Sequence, residues 1–210
     1  YQVVMRPWLW WLTLARNNRV FQTLTTGDIV TRIFKEHGFS DYTLKLTSTY
    51  EPREYCIQYA ESDYSFVTRL LEDEGIFWFF THVKGRHPLI LADSNDAFAP
   101  CPYGASIAYL GQKIGVLELQ GIRSGEIRRQ AVSGIYSATD YQFITPTTSL
   151  YGQAEAVAGP LSVYEYPGGF TAKARGDALG KQRMDALLTQ ELRFVGESDC
   201  RWLQPGYTFK

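Results

Sequence analysis

Glu54-Tyr55-Cys56-Ile57-Gln58-Tyr59-Ala60-Glu61-Ser62-Asp63-Tyr64-Ser65-Phe66-Val67-Thr68-Arg69-Leu70-Leu71-Glu72-Asp73-Glu74-Gly75-Ile76-Phe77-Trp78-Phe79-Phe80 contains three periodicities in succession. Tyr55, Ile57 and Tyr59 alternate with Cys56, Gln58 and Ala60, the period of two that predicts a half-buried strand over 55–60. Phe66, Val67, Leu70 and Leu71 then fall at helical spacing, with Ser62 or Asp63 placed to accept from the first-turn amides and Gly75 placed for a left-handed C′ residue. Ile76–Phe80 is unbroken apolar chain, which predicts a strand over 76–82 covered on both faces. With such short connections, the helix packs back on the sheet that flanks it.

Working outward, Thr26–Gly38 predicts a second amphipathic helix, with Thr25 or Thr26 as cap and Ile29, Val30, Ile33 and Phe34 on one face. A third helix is expected from Thr171 to about Gln190, on a looser stripe of Ala174, Ala178, Leu179, Met184, Leu187 and Leu188; Gly180 inside it costs about 1 kcal/mol relative to alanine. Strands are expected at 89–92, 116–122, 135–144, 161–166, 192–200 and from 202 to the end. An aromatic content of 15% with 18 glycines and 9 prolines suits a sheet-rich chain with frequent turns. From Leu110 onward glycines are scattered among short β-prone pieces, which places a boundary near 112.

With 45% hydrophobic and 20% charged residues the chain can bury an ordinary core, so disorder is not expected. A formal net charge of −1 gives no drive toward phosphate backbones, and nucleic acid is not an expected partner. The longest uncharged apolar run, Pro7–Ala15, is far short of the ~20 residues of a membrane span, so no membrane anchor is expected. Three widely spaced cysteines, Cys56, Cys101 and Cys200, form no Cys-x-x-Cys pair and are expected to be buried thiols, although one disulfide stays open. The chain opens on Tyr1 in mid-pattern and is expected to be a piece of something longer.

Motifs for chemistry are absent. His37, His82 and His87 do not form His-Glu-x-x-His, the regions around Ser106 and Ser133 do not form Gly-x-Ser-x-Gly, and Gly176–Gln182 is one residue short of a phosphate loop. No cofactor, metal or catalytic residue is therefore expected, and the chain is not expected to be an enzyme. Paired carboxylates leave no local signature, but Glu61 and Asp63 sit where a helix N-terminus favours negative charge. Glu72, Asp73 and Glu74 oppose the helix dipole in the last turn and repel one another, so basic groups must answer them. Arg69 is the local candidate; a basic patch on a neighbouring subunit is the other, which makes Glu72, Asp73 and Glu74 the candidate subunit-interface residues. Trp8-Leu9-Trp10-Trp11-Leu12 suits a sugar platform or a membrane interface, but alternation on a packed strand is the simpler reading.

The run from Glu54 to Phe80 closely resembles the signature of the VgrG family of type VI secretion spike proteins. Further matches follow in order: Arg6–Trp10, Arg19–Gln22, Leu89–Asp93, Asp140–Phe143 with Pro146, Tyr164–Gly168, and Pro205-Gly206 with Phe209. The resemblance covers essentially the whole chain. It implies an α+β, predominantly β, phage tail-hub-like fold with β-barrel subdomains and a few packed amphipathic helices. Residues 1–15 would be the closing strand of a truncated first β-barrel, 16–112 a middle α+β domain, and 113–210 a second β-barrel-like domain with one helix.

The implied function is structural. A homotrimer forms a pseudo-six-fold ring that caps a hexameric inner-tube protein (Hcp-like), with secreted effectors and a spike-tip protein carried through segments absent here. Such a protein assembles in the bacterial cytoplasm and is then secreted or delivered into a target cell. The alternatives are a tail hub or baseplate protein of a contractile phage or tailocin, and a glycan-binding or glycan-cleaving module.

Overall fold

The computed structural model describes residues 1–102, 104, 106–111, 120–156 and 160–210, so the boundary expected near 112 and most of the strand expected at 116–122 lie outside the described residues. Two compact units emerge: 1–106 together with 202–210, and 107–201. The second unit thus ends at Arg201 rather than at 210, because the last residues return to the first. There Tyr207–Thr208 pairs in parallel with the short strand Ala99–Pro100, and the backbone of Gly206 lies so close to Phe79 that an added Cβ would stand 2.0 Å from its ring.

In the first unit, β1 (Arg16–Phe21) pairs antiparallel with β3 (Cys56–Ser62), and β2 (Tyr42–Lys45), β5 (Leu89–Ala92) and β4 (Phe77–Phe80) form a three-stranded sheet in the order β2-β5-β4. Helix α1 (Thr26–Glu36) starts on a capping box in which Thr25 Oγ1 accepts from the Asp28 amide while Asp28 accepts from the Thr25 amide. Helix α2 (Asp63–Asp73) is capped by Ser62, and Gly75 follows its end at φ +70°, a conformation that costs glycine nothing. The predicted stripes are the observed buried faces: Ile29, Val30, Ile33 and Phe34 of α1 meet Phe66, Val67, Leu70 and Leu71 of α2 in one core. Strand β6 is Ala99–Pro100.

The expected closing strand within 1–15 is instead a 3₁₀ helix, Trp8–Leu14. Strand alternation would have put Leu9 and Trp11 together on one face. In the structure Trp8, Leu9 and Leu12 are buried and Trp11 is exposed. Pro7 sets the entry, the Trp10 amide donates to the Pro7 carbonyl at 3.0 Å, and the Trp8 ring stacks on Phe39 at 4.5 Å and meets Phe34 edge-on at 5.0 Å. Burying that ring against Phe34, Phe39 and Phe80 decides the local conformation over the strand propensity of the sequence.

In the second unit, β7 (Ile122–Arg129) pairs antiparallel with β11 (Leu192–Ser198), and β8 (Ile135–Asp140) lies between β9 (Leu150–Glu155) and the parallel β10 (Ser162–Glu165). Helix α3 (Lys173–Leu188) covers β9 and β8 over Tyr136, Ala138, Leu150, Phe170, Leu179 and Met184. Gly180 is no defect here: a Cβ on it would lie 3.3 Å from the Gln153 backbone, so its absence lets the helix approach the sheet. Over the described residues as a whole strand exceeds helix, giving a mixed, strand-rich fold. Among the described residues no sheet closes into the barrels that were expected, since closure needs every strand paired on both edges and these sheets are two- or three-stranded and open.

Candidate functional site

Asp63 is the most constrained polar residue of the first unit. It was expected merely to favour a helix N-terminus; the structure places its carboxylate fully out of solvent. Gln58 Nε2 and Arg19 Nη1 each donate to Oδ1 at 2.7 Å, His37 Nε2 lies 2.7 Å from Oδ2, and Asn17 Nδ2 donates to both oxygens at 3.1 and 3.2 Å. Arg19 also reaches Glu36 Oε2 at 3.0 Å. Burial pushes the carboxyl of Asp63 upward, and the hydrogen bonds from Gln58, His37, Asn17 and Arg19 outweigh it, leaving the group below the ordinary carboxylate value. The network therefore joins β1, α1, β3 and α2. The shared carboxylate fixes the orientation of the His37 ring and of the Asn17, Arg19 and Gln58 side chains that meet it.

Of the acids in the last turn of α2, Asp73 and Glu74 are answered within the chain by a residue the sequence reading missed. Arg53 Nη2 donates to Asp73 Oδ2 at 2.5 Å and to Glu74 Oε1 at 2.8 Å, while its Nε donates to Thr26 Oγ1 at 3.1 Å. Arg69, the local candidate, bonds Glu61 at 2.7 Å instead. Glu74 is only 6% exposed and faces inward, so it cannot present its charge to a neighbouring subunit; Glu72 is exposed and Asp73 partly so. Arg53 lies twenty residues from its partners, and no local spacing rule reaches that far. A signal did exist for Gln58, because period-two alternation puts it on the Cys56 face, where a buried amide must find partners.

Asp93 is a third anchor. It accepts from the amides of Thr47 and Ser48 at 2.9 and 2.8 Å and from the Tyr50 hydroxyl at 2.9 Å, pinning the loop that follows β2. Burial raises its pKa, but the two backbone amides and the hydroxyls dominate and hold it down at about 2.

Among the described residues no group of three or more His, Cys, Asp or Glu could hold a metal, and no helix is long and apolar enough to cross a membrane. Cys56, Cys101 and Cys200 are free, buried thiols, and burial pushes the Cys56 thiol up. A hollow of about 410 Å³ beside the 3₁₀ helix is lined by Trp11, Leu14, Ala15, His37 and Phe39 and contains no nucleophile. What the surface does offer is bulk: Tyr55, Ile57 and Tyr59 of the first unit and Ile127, Leu192 and Phe194 of the second point into solvent. Such surfaces mark contact with other protein.

Comparison with known proteins agrees with that character. The chain is 36% identical over 215 residues to the type VI secretion system spike protein VgrG1c of Pseudomonas aeruginosa and 34% identical over 214 residues to VgrG1b of the same organism; each match takes in all of this chain and 29% of the relative. The chain thus spans under a third of the length of these relatives. Among solved structures, the Escherichia coli c3393 protein, described as a component of the type VI secretion system with structural similarity to the T4 bacteriophage tail proteins gp27 and gp5, superposes with a TM-score of 0.66 at 20% identity, covering 95% of this chain and 42% of that one. The phage tail baseplate hub (GPD) family matches residues 1–210 without a gap at either end, and the chain belongs to that family.

Proposed function

We propose that this chain is a structural hub segment of a type VI secretion spike, working by assembly and carrying no catalysis of its own. Three copies form a ring that caps a hexameric inner-tube protein, and the spike tip and effectors travel with it. The protein assembles in the bacterial cytoplasm and leaves the cell when the machine contracts. In this reading 16–112 is the middle domain and the β-rich remainder contributes to the ring wall. The carrying observation is the full-length match to a baseplate hub family together with relatives named as spike proteins. Large apolar side chains on outward sheet faces in both units support it, since obligate interfaces are large and rich in aromatics.

Of the candidate interface acids, Glu72 and the exposed edge of Asp73 remain available for contact with a neighbouring copy, whereas Glu74 acts inside the chain. Light scattering over a range of concentrations tests the reading: a mass three times that of the chain is expected, and a monomer at every concentration argues against it. A second reading, the hub of a contractile phage or tailocin, is favoured by the phage name of the family. Gene neighbours that encode effectors and a membrane complex support secretion; capsid genes support a phage.

A further inference from the structure

His82 and His87 are separated by a spacing that brings two side chains together on neither a helix nor a single strand. The turn between β4 and β5 brings them together instead. Around Lys84 and Gly85, the latter at φ +81°, the Val83 amide donates to the Arg86 carbonyl and the Arg86 amide to the Val83 carbonyl, both at 3.1 Å. On the other side of the pair, the Thr81 amide donates to the Pro88 carbonyl at 3.0 Å. His82 and His87 therefore stand directly opposite each other between two hydrogen-bonded pairs, the position at which side chains across an antiparallel ladder come closest. Their ring centroids are 6.5 Å apart, with the planes 17° from parallel.

The two rings differ in their surroundings. His82 is exposed, whereas His87 is partly buried and meets the Phe80 ring at 5.7 Å between centroids, at the rim of the first unit's core. His87 Nε2 is shut off from solvent and has no hydrogen-bond partner among the described residues. A buried polar atom left unpaired calls for a water or an ion. The charged side chains of the turn are Lys84 and Arg86, and Asp41 is engaged with Arg86 at 2.9 Å. The donors on offer are thus imidazole nitrogens rather than carboxylate oxygens. Magnesium and calcium require oxygen ligands, while imidazole suits zinc, copper and nickel. Metal–nitrogen bonds of about 2 Å hold two liganding ring centroids roughly 5–6 Å apart, so a small swing of the exposed His82 ring closes the pair on an ion.

We propose that His82 and His87 form a two-histidine site for a divalent transition-metal ion of the zinc class, with water completing the coordination and the ion clasping the turn between β4 and β5. Two protein ligands make this an open site, unlike the closed four-ligand sites that hold structural zinc. It lies wholly within the first unit and does not depend on how copies of the chain assemble.

Titration of Zn²⁺ into the unaltered chain near neutral pH, followed by side-chain imidazole NMR, tests it. The resonances of His82 and His87 are expected to move together and to saturate at one equivalent, while His37, held by Asp63, stays in place and Mg²⁺ at the same concentration moves none of them. Calorimetry on His82→Ala, a substitution at an exposed position whose folding circular dichroism checks, is expected to show Zn²⁺ affinity lowered about tenfold or more, since even loss of a supporting contact to a ligand costs that much. Movement of His82 alone overturns the two-histidine site, as does an affinity unchanged in His82→Ala. Rings that both stay in place up to millimolar Zn²⁺ also overturn it and leave the pair as packing at the edge of the core.

Discussion

His37 Nε2 lies 2.7 Å from Oδ2 of Asp63, so the C-terminal end of α1 is tied to the first turn of α2 through a carboxylate that solvent does not reach. The same carboxylate holds Arg19 and Asn17 of β1 and Gln58 of β3. Four elements therefore share one anion, which cross-links them.

Replacing Asp63 by alanine removes the buried acceptor that Arg19, Gln58, Asn17 and His37 share, leaving Arg19 with Glu36 and the Gln58 amide with the Glu61 carbonyl. The expected cost is about 3–5 kcal/mol, the range for removing one partner of a buried pair. Urea unfolding followed by tryptophan fluorescence measures it. A cost under about 1 kcal/mol would mean that water replaces the carboxylate and the network holds nothing together.

Acid should weaken the first unit in a defined window. Asp93 has its pKa held at about 2 in the fold against 3.8 ordinarily, and that of Asp63 is also lowered. A depressed folded value gives stabilisation that is fully present above the unfolded pKa and disappears as pH falls through the folded one. Urea midpoints should be level from pH 7 to about 5 and fall from about 4 toward 2. Asp93→Asn should lower the neutral-pH unfolding free energy by roughly 1 kcal/mol, allowing for solvent screening of a partly exposed group, and flatten part of the acid limb. An acid limb unchanged in that variant would assign the loss to other carboxylates.

Arg53 and Arg69 should separate cleanly. Arg53→Met leaves near-buried Glu74 without its guanidinium and is expected to cost about 3 kcal/mol, with partial recovery on adding Glu74→Gln. Arg69→Met breaks a solvent-facing pair with Glu61 and should cost under about 1 kcal/mol. Equal costs, measured by thermal unfolding, would contradict the assignment of Arg53 as the answer to the acidic turn.

Gly152 is where α3 meets β9 most closely: an added Cβ would lie 2.4 Å from the Gly176 carbonyl carbon and oxygen. Backbone cannot yield there as a flexible side chain could, so Gly152→Ala should destabilise the second unit by about 1–3 kcal/mol. Hydrogen exchange of α3 amides, accelerated in the variant while α1 and α2 stay protected, is the expected signature. Exchange unchanged in α3 would place the helix farther from the sheet.

Helices α1 and α2 were legible because each records its own burial in apolar spacing and its own ends in caps, features that span one or two turns of contiguous chain: Thr25, Ser62 and Gly75. Helix α3 was legible with less detail: it has no side-chain cap, and Ala174 and Ala178 of its expected stripe are exposed while Gly176, Leu179, Gly180 and Met184 are buried. β3 was legible as a strand from its alternation, and so was the family resemblance, which depends on residue order. What contiguous chain cannot record is who meets whom. β1 is short and polar and becomes a strand by pairing with β3 some forty residues away. Arg53 finds Asp73 and Glu74, and Asp63 gathers four donors, only once α1, α2 and the β1–β3 pair have closed around them. Trp8 was read as strand because local propensity favours it, and it is helical because burying its ring against Phe34, Phe39 and Phe80 outweighs that preference. The sequence by itself determined the periodic elements and the kinship. Tertiary structure alone decided the face of β3 that turns outward and the partner of each buried charge, because desolvation and pairing energies depend on distances in space that spacing along the chain does not encode.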